Sequence, residues 1–367
     1  MTVLPMGARR TRLLATVLLA LELAGCATRR PESGAPGAVM AGTARVPVGL
    51  ATPFDPSTWT HAAHGTPSPR YGSPGSDLWP VTWADDGKQY IAWGDGYGFS
   101  GSSYVSWGIA TLTGGPVGYR AADEYYGPSD NAKIVGMICI GGVIYVIHAD
   151  KADPTEHFQL YKSTDHFATG PSAVSGVIFP KAGTSIYPHS FIQFGQNNGD
   201  AVDSYVYAVG QGEHGIAGTY LFRVPAASIE TLASWEVFSG TPGSPAWSTD
   251  FTQAQAILST GSGFDAGNRI IYLDLHDGVF ILIEGSPFVS MTLSWGLHPY
   301  GPFTPFATFP GGLPSFAGRS PSVSVEFAPK WCDGGDLWLI FSGGNVIWDS
   351  FNAVGGATLK WGPLITE

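Results

Sequence analysis

The chain has 367 residues, is 44% hydrophobic and only 13% charged, and carries 50 Gly, 28 Pro and a formal net charge of −11. An acidic chain with so few basic residues lacks the phosphate-neutralising surface that a nucleic acid partner requires, so none is expected. Low charge with many aromatics and glycines also excludes a disordered chain and disfavours long helices; it predicts an all-β protein of many short strands.

In chain order, Arg9, Arg10 and Arg12 precede an apolar run from Leu13 to Leu23, broken by Glu22. The run is too short to remain in a bilayer as a helix and reads as a targeting segment. Leu23-Ala24-Gly25-Cys26 is similar to the bacterial lipobox, which implies cleavage before Cys26 and lipidation of its thiol. The expectation is an exported lipoprotein, attached to the membrane by several acyl chains on Cys26. Ala27 rather than Asp implies the outer membrane or cell surface in a Gram-negative host. Residues 27–55, rich in Ala, Gly, Pro and Arg, read as a flexible tether. Residues 56–367 contain no Pro/Ser-rich linker and read as a single domain.

The run from Ser76 to Phe99, SDLWPVTWADDGKQYIAWGDGYGF, predicts a β-hairpin. LWPVTWA and QYIAWG are its strands, and Asp85-Asp86-Gly87-Lys88 is its turn, because Gly accepts the positive φ that such turns need. Asp77 and Asp95 then flank the open end. Further strands follow as VSWGIATL, KIVGMICI, GVIYVIHA, FQLYKSTD, FIQFG, SYVYAVGQ, TYLFRVP, AQAILST, RIIYLDL, GVFILIEG, VSVEFAP, DLWLIFSG and ATLKW. They group into five units starting near Asp77, Asp130, Tyr187, Asp250 and Ser320. Sheets that cannot bury both faces alone, repeated in this way, predict a five-bladed β-propeller; the alternatives are a β-sandwich or two β domains. Only 227–238, ASIETLASWEVF, suggests a helical turn. Tyr161 to Thr169 resembles a degraded Asp-box, the turn between outer strands of sialidase-like propellers, with Phe167 in place of its Gly.

In a propeller, the residues that open each first strand converge on the axis. They are Asp77 and Trp79, then Asp130 to Lys133, then His189, then Asp250, then Arg319 with Glu326 a strand further on. Charges at such positions are costly unless they are used or paired. Glycosidic bond cleavage needs two carboxyl groups, one as acid and one as base or nucleophile. Asp77, Asp95 and Asp130 are the catalytic candidates, with Asp77 as base or nucleophile and Asp95 or Asp130 as the acid. The competing reading makes Asp77 and Asp130 Asx-turn residues. Lys133, His189, Asp250, Arg319 and Glu326 are candidates for substrate binding, and Trp79, Trp295 and Trp331 for stacking on sugar rings. Asp85 and Asp86 belong to turn chemistry. No G-x-S-x-G elbow or H-E-x-x-H spacing occurs. Cys139, in an apolar run, and Cys332, at a turn, have no metal-ligand partners nearby, so no metal or cofactor is expected.

Ser76 to Gly87, Trp93-Gly94-Asp95-Gly96, Ser129 to Lys133, Phe327 to Trp331 and Leu337 to Ser342 together resemble the uncharacterised-domain family 4185, over most of residues 70–361. That resemblance implies a five-bladed propeller like those of glycoside hydrolases, some members being endo-D-arabinanases. It implies acidic catalytic residues in the first blades, carried onto Asp77 and Asp95 and less directly onto Asp130. The expected function is an endo-acting glycoside hydrolase on a furanose polymer such as D-arabinan, with a polysaccharide as partner. The alternative is a non-catalytic carbohydrate-binding or scaffold propeller.

Overall fold

The computed structural model describes residues 59–63, 76–99, 103–116, 119–150, 157–180, 186–212, 218–259, 268–274, 278–286, 289–312, 321–332, 337–343 and 354–363. Cys26, the tether at 27–55, Arg319 and the blade start at Ser320 lie outside these residues.

The strands are β1 (Trp59–Ala63), then β2 (Val81–Trp83), β3 (Gln89–Gly96), β4 (Val105–Thr113) and β5 (Arg120–Tyr126) of the first blade. The second blade is β6 (Lys133–Ile140), β7 (Val143–Asp150), β8 (His157–Ser163) and β9 (Ser172–Pro180). The third is β10 (Ile186–Ile192), β11 (Tyr205–Gly212), β12 (Thr219–Pro225), β13 (Glu236–Phe238) and β14 (Trp247–Ser248). The fourth is β15 (Arg269–Leu273), β16 (Val279–Ser286), β17 (Ser290–Gly296) and β18 (Thr304–Phe309). The fifth is β19 (Pro321–Phe327), β20 (Leu337–Gly343) and β21 (Val354–Pro363), completed by β1. Within every blade the strands pair antiparallel in sequence order, and the first strands β2, β6, β10, β15 and β19 lie side by side in turn. This is a five-bladed propeller. The ring is closed by β1, which pairs with β21 from Trp59↔Pro363 to Ala63↔Leu359 and so ties the two ends of the domain together. A one-turn helix, α1 (Pro329–Cys332), packs from the fifth blade onto β2 of the first.

Period-two alternation explains why the sheets stack. In β7, Ile144 and Val146 join the core against the first blade, while Tyr145, Ile147 and Ala149 join the core against the third. Successive strand side chains point to opposite faces, so one strand feeds two interblade cores. Similar layers lie between blades three and four, with Ile192, Val209, Phe280 and Leu282, and where blades one, four and five meet, with Trp79, Ile91, Ile281 and Leu339. Pro188 sits within β10 because a first strand is an edge strand with one ladder partner.

The sequence reading needs correction at the fourth blade. Asp250 does not open it; β15 does, at Arg269. Ser248-Thr249-Asp250 imitates a blade start, but β14 makes a fifth strand of blade three, and Asp250 then caps a 3-10 turn at Phe251–Gln253 by accepting from the Thr252 N–H. The expected strand AQAILST contributes only an isolated bridge, Leu258 to Thr219. The 227–238 stretch holds two 3-10 turns (Ala226–Ser228 and Leu232–Ser234) ahead of β13. It is not the only helical segment: α1 and the turns at Gln196–Asn198 and Phe251–Gln253 were not legible. The Asp-box-like turn does join the outer strands β8 and β9. Asp165 accepts from the Ser163 hydroxyl at 2.9 Å and from the Thr169 hydroxyl at 2.7 Å. Phe167, where the motif has Gly, takes φ 63 and is fully buried.

Candidate active site

The first hairpin has two acidic ends with different chemistry. At the turn, Gly87 takes φ +79 and its N–H donates to the Ala84 carbonyl at 3.1 Å. Asp86 accepts from the Lys88 N–H at 3.0 Å and the Tyr90 hydroxyl at 2.9 Å. Asp85 lies 2.7 Å from His166 Nε2, and that contact holds its carboxyl below the usual range. Both acids therefore organise the turn and its neighbours.

At the open end, Asp77 and Gly94 exchange backbone hydrogen bonds, 2.9 Å from the Asp77 N–H and 2.6 Å from the Gly94 N–H. Asp95 is the next residue along, so the two acidic residues are close along the backbone at this end of the hairpin. Lys133, the first residue of β6, reaches over from the second blade. Its ammonium donates to Asp95 Oδ1 at 2.8 Å and to the Ala132 carbonyl at 3.2 Å. A Cβ at Gly94 would lie 2.7 Å from Asp77 Oδ1 and 3.0 Å from Lys133 Cδ. A larger residue there would have to displace Asp77 or Lys133, which crowd this position, with Asp95 bonded to Lys133 beside it. The Lys133 side chain is 3% exposed while that of Asp95 is 44% exposed, so the ammonium lies behind the carboxylate that faces solvent.

Backbone strain collects at this mouth. Leu78 (φ 52), Asp95 (φ 41) and Asn131 (φ 68) all take left-handed conformations. Non-glycine residues in this region cost about 1–3 kcal/mol each and recur where a structure must aim a side chain. Tyr104 is exposed and stands directly ahead of Val105, which pairs with Gly96, the residue after Asp95.

A second polar cluster lies deeper on the axis. Arg269, His189 and Glu326 come from β15, β10 and β19, and all are buried. Arg269 Nε donates to Glu326 Oε1 at 2.5 Å, and Arg269 Nη1 lies 3.1 Å from His189 Nδ1. Guanidinium has no acceptor, so His189 Nδ1 accepts and the ring proton sits on Nε2. Burial, then the Arg269 charge, holds the imidazole well below its ordinary range, so it is neutral. Burial pushes the Glu326 carboxyl up, against the opposing effect of Arg269. A bulge between Pro188 and Ser190 lifts His189 out of the ladder. Next to this cluster is a central cavity lined by Val81, Met137, Phe191, Ile270 and Phe327, one residue from each first strand. The volume open to the centre of a water molecule is about 20 Å³, room for roughly one or two waters and not a sugar ring.

The structure brings Asp77, Asp95 and Lys133 together, and His189 with Glu326. It separates the others. Asp130 is exposed and accepts from the Ala132 N–H at 3.0 Å, an Asx-type turn that presents Lys133. Asp250 is exposed on the outer side of blade three and cannot meet the axis. Trp79 and Trp331 are 1% and 5% exposed, so neither offers a face to a sugar. Trp79 packs on Phe99 at 5.5 Å, and Trp331 Nε1 donates to the Gly114 carbonyl at 3.2 Å. Large apolar rings are worth most in the wedge between blades one and five, and both sit there. Sequence reasoning missed Arg269. Arg269 had one signal, a cation directly ahead of the continuous apolar run IIYL. Among the described residues, no three His, Cys, Asp or Glu side chains are arranged to hold a metal.

No family model and no curated protein matches the chain. Solved structures do. A candidate hydrolase of Bacteroides ovatus aligns at 15% identity and TM-score 0.51, covering 86% of this chain and 97% of that one. A GH62 hydrolase in complex with xylotriose aligns at 10% identity and TM-score 0.46, covering 83% and 96%. The catalytic domain of a GH62 α-L-arabinofuranosidase from Coprinopsis cinerea aligns at 9% identity and TM-score 0.44, covering 83% and 96%. At these identities the likeness is one of fold, and the chemistry has to be argued from this chain's own residues.

Proposed function

We propose that this protein is a glycoside hydrolase, endo-acting on a furanose polymer such as arabinan, with Asp77 and Asp95 as its paired carboxyl groups. The observation that carries the reading is that Asp77 and Lys133 both crowd Gly94 while the adjacent Asp95 pairs with Lys133 and stays open to solvent. Asp77 pairs with Gly94, and Asp95 is the next residue, so the two acids stand at neighbouring backbone positions of one hairpin; two-carboxylate glycoside chemistry uses carboxyl groups roughly 5–9.5 Å apart. Asp95, paired with Lys133 at 2.8 Å and open to solvent, serves as base or nucleophile. Asp77, more enclosed, serves as the acid that protonates the leaving oxygen. This exchanges the roles expected from sequence, because the ammonium sits on Asp95. Asp130 drops out, its carboxylate being used in a turn. The resemblance to family 4185 supports the substrate class. The test is incubation of the protein with arabinan and a panel of other glycans, followed by assay of new reducing ends. Release of oligosaccharides from arabinan is expected; release from none of the glycans rejects the reading.

One observation favours a second reading, a non-catalytic carbohydrate-binding propeller: the ion pair to Lys133 occupies one oxygen of Asp95. Retention on glycan without release would select it. The chain is further proposed to be exported and anchored through acyl chains on Cys26, with 27–55 as tether. The run Leu23-Ala24-Gly25-Cys26 after three arginines supports this. Labelled palmitate should enter the wild type and not Cys26→Ala; equal labelling would refute the anchor.

A further inference from the structure

Lys133 is the buried half of the ion pair at the mouth, and the backbone around it is built to aim its side chain. It opens β6 of the second blade and pairs there with Ala149. Just ahead of it, the Asp130 carboxylate accepts from the Ala132 N–H at 3.0 Å, and Asn131 takes φ 68. The Asn131 N–H donates to the Ser106 hydroxyl of the first blade at 2.8 Å, which ties this turn across the blade boundary. The stem of Lys133 then crosses to the first blade over Gly94, where a Cβ would lie 3.0 Å from Lys133 Cδ. The ammonium ends on Asp95 Oδ1 at 2.8 Å and on the Ala132 carbonyl at 3.2 Å.

Asp95 is held by one oxygen. Among the described residues, its carboxylate is bonded through Oδ1 to Lys133, and Oδ2 has no partner. The backbone of Asp95 is out of step with its ladder. The register of β3 on β4 passes from Gly94↔Trp107 to Gly96↔Val105, and Asp95 between them takes φ 41. An aspartate in the left-handed region persists only where its surroundings hold it, and the contact that holds this side chain is the Lys133 ammonium.

The deep pair shows what a structural tie looks like. Arg269 and Glu326 are both buried, so each charge needs the other. Asp95 differs: its side chain is 44% exposed, so water solvates it without help. Pairing a solvated carboxylate contributes little stability, while burying an ammonium to 3% exposure is costly. The arrangement is a poor tie between blades and an effective clamp on one carboxylate oxygen.

We propose that Lys133 is a positioning residue: it clamps Oδ1 of Asp95 from behind, so that Oδ2 is the oxygen presented to the substrate. Lys133, being buried, acts through Asp95 and not on the sugar itself. This deepens the glycoside-hydrolase reading and rests on it.

The test is reducing-end release from arabinan, or from whichever glycan of the panel the wild type cleaves, by wild type, Lys133→Met, Asp95→Asn and the double variant, with a melting temperature for each. Lys133→Met keeps the length of the stem and leaves behind only a solvated partner, so it should fold. Its kcat should fall at least about tenfold, towards the hundredfold that a misplacement of about 1 Å costs, with KM within about twofold of wild type. Adding Lys133→Met to Asp95→Asn should cost less than about a further twofold, because nothing is left to position. A folded Lys133→Met with wild-type kcat overturns the role of Lys133 and leaves the hydrolase reading standing. Losses that multiply in the double variant do the same, since Lys133 would then act apart from Asp95. If Lys133→Met does not fold, Lys133→Gln is measured in its place with the same expectations; if neither folds, Lys133 is a structural tie and the proposal falls. No release from any glycan by the wild type overturns the hydrolase reading and the role of Lys133 with it.

Discussion

The two polar clusters on the propeller axis use the same kinds of residue to opposite ends. At the mouth, Lys133 and Asp95 pair at 2.8 Å with the carboxylate open to solvent, between backbone positions forced to positive φ. Deeper in, Arg269 and Glu326 pair at 2.5 Å with both side chains nearly inaccessible, and His189 is held neutral, accepting from Arg269 through Nδ1. The deep cluster has satisfied charges, and the cavity beside it is too small for a sugar. The mouth keeps a carboxylate turned outward, at the cost of local strain. Charge near a propeller axis therefore does not by itself mark chemistry. Exposure and strain separate a site from a structural tie.

That contrast can be broken most sharply at the deep cluster. Glu326→Gln keeps the shape but leaves Arg269 buried opposite a neutral amide. Removing one partner of a buried pair costs about 3–5 kcal/mol, so the urea midpoint should fall by a correspondingly large amount. An unchanged midpoint would mean that the deep pair is not a structural tie.

A smaller effect should come from His189. Its proton affinity is depressed in the folded protein, by burial first and by Arg269 second. Below about pH 6.5 the unfolded chain takes up a proton that the folded one refuses, so stability should decline as the pH falls. Glu326 has the opposite sign: its raised carboxyl contributes most at low pH, and that contribution fades as the pH rises above about 4.3. Above the raised range of the Glu326 carboxyl the histidine acts alone, and below it the two contributions oppose each other. Melting curves of wild type should show the loss as the pH falls from about 6.5, and His189→Gln should flatten it. Parallel curves for the two proteins would remove the neutral imidazole from the account.

The smallest effect is expected at Asp250. Its carboxylate caps an exposed 3-10 turn far from the axis, so Asp250→Ala should leave glycan release within about twofold of wild type, as for surface changes away from a site. A large loss would restore the axial position first expected for it.

Much of the fold was legible because its physics is local. The Asp86-Gly87 turn, the alternation in strands such as β7 and the spacing of the apolar hairpins all repeat, and repeats are visible in one sequence. The fourth blade was read too early because Ser248-Thr249-Asp250 carries the same turn chemistry as a true blade start. What distinguishes Arg269 is burial against residues from two other blades, which is a long-range fact. Asp77 and Lys133 were legible as charges at strand openings, and Asp95 as a carboxylate at the open end of the hairpin. Trp79 was misread because the SDLWP run does not alternate, and nothing local shows that its ring fills the wedge between blades.

The central claim is that the mouth pair, and not the deep pair, carries chemistry. Its most direct test is the rate of reducing-end release from arabinan by wild type, Asp77→Asn and Asp95→Asn, each checked for an unchanged melting temperature. Loss of a positioned acid or base costs about 10²–10⁴ in rate, and the account predicts a loss of that size in both variants while the fold is retained. Folded variants that release products at the wild-type rate would contradict it.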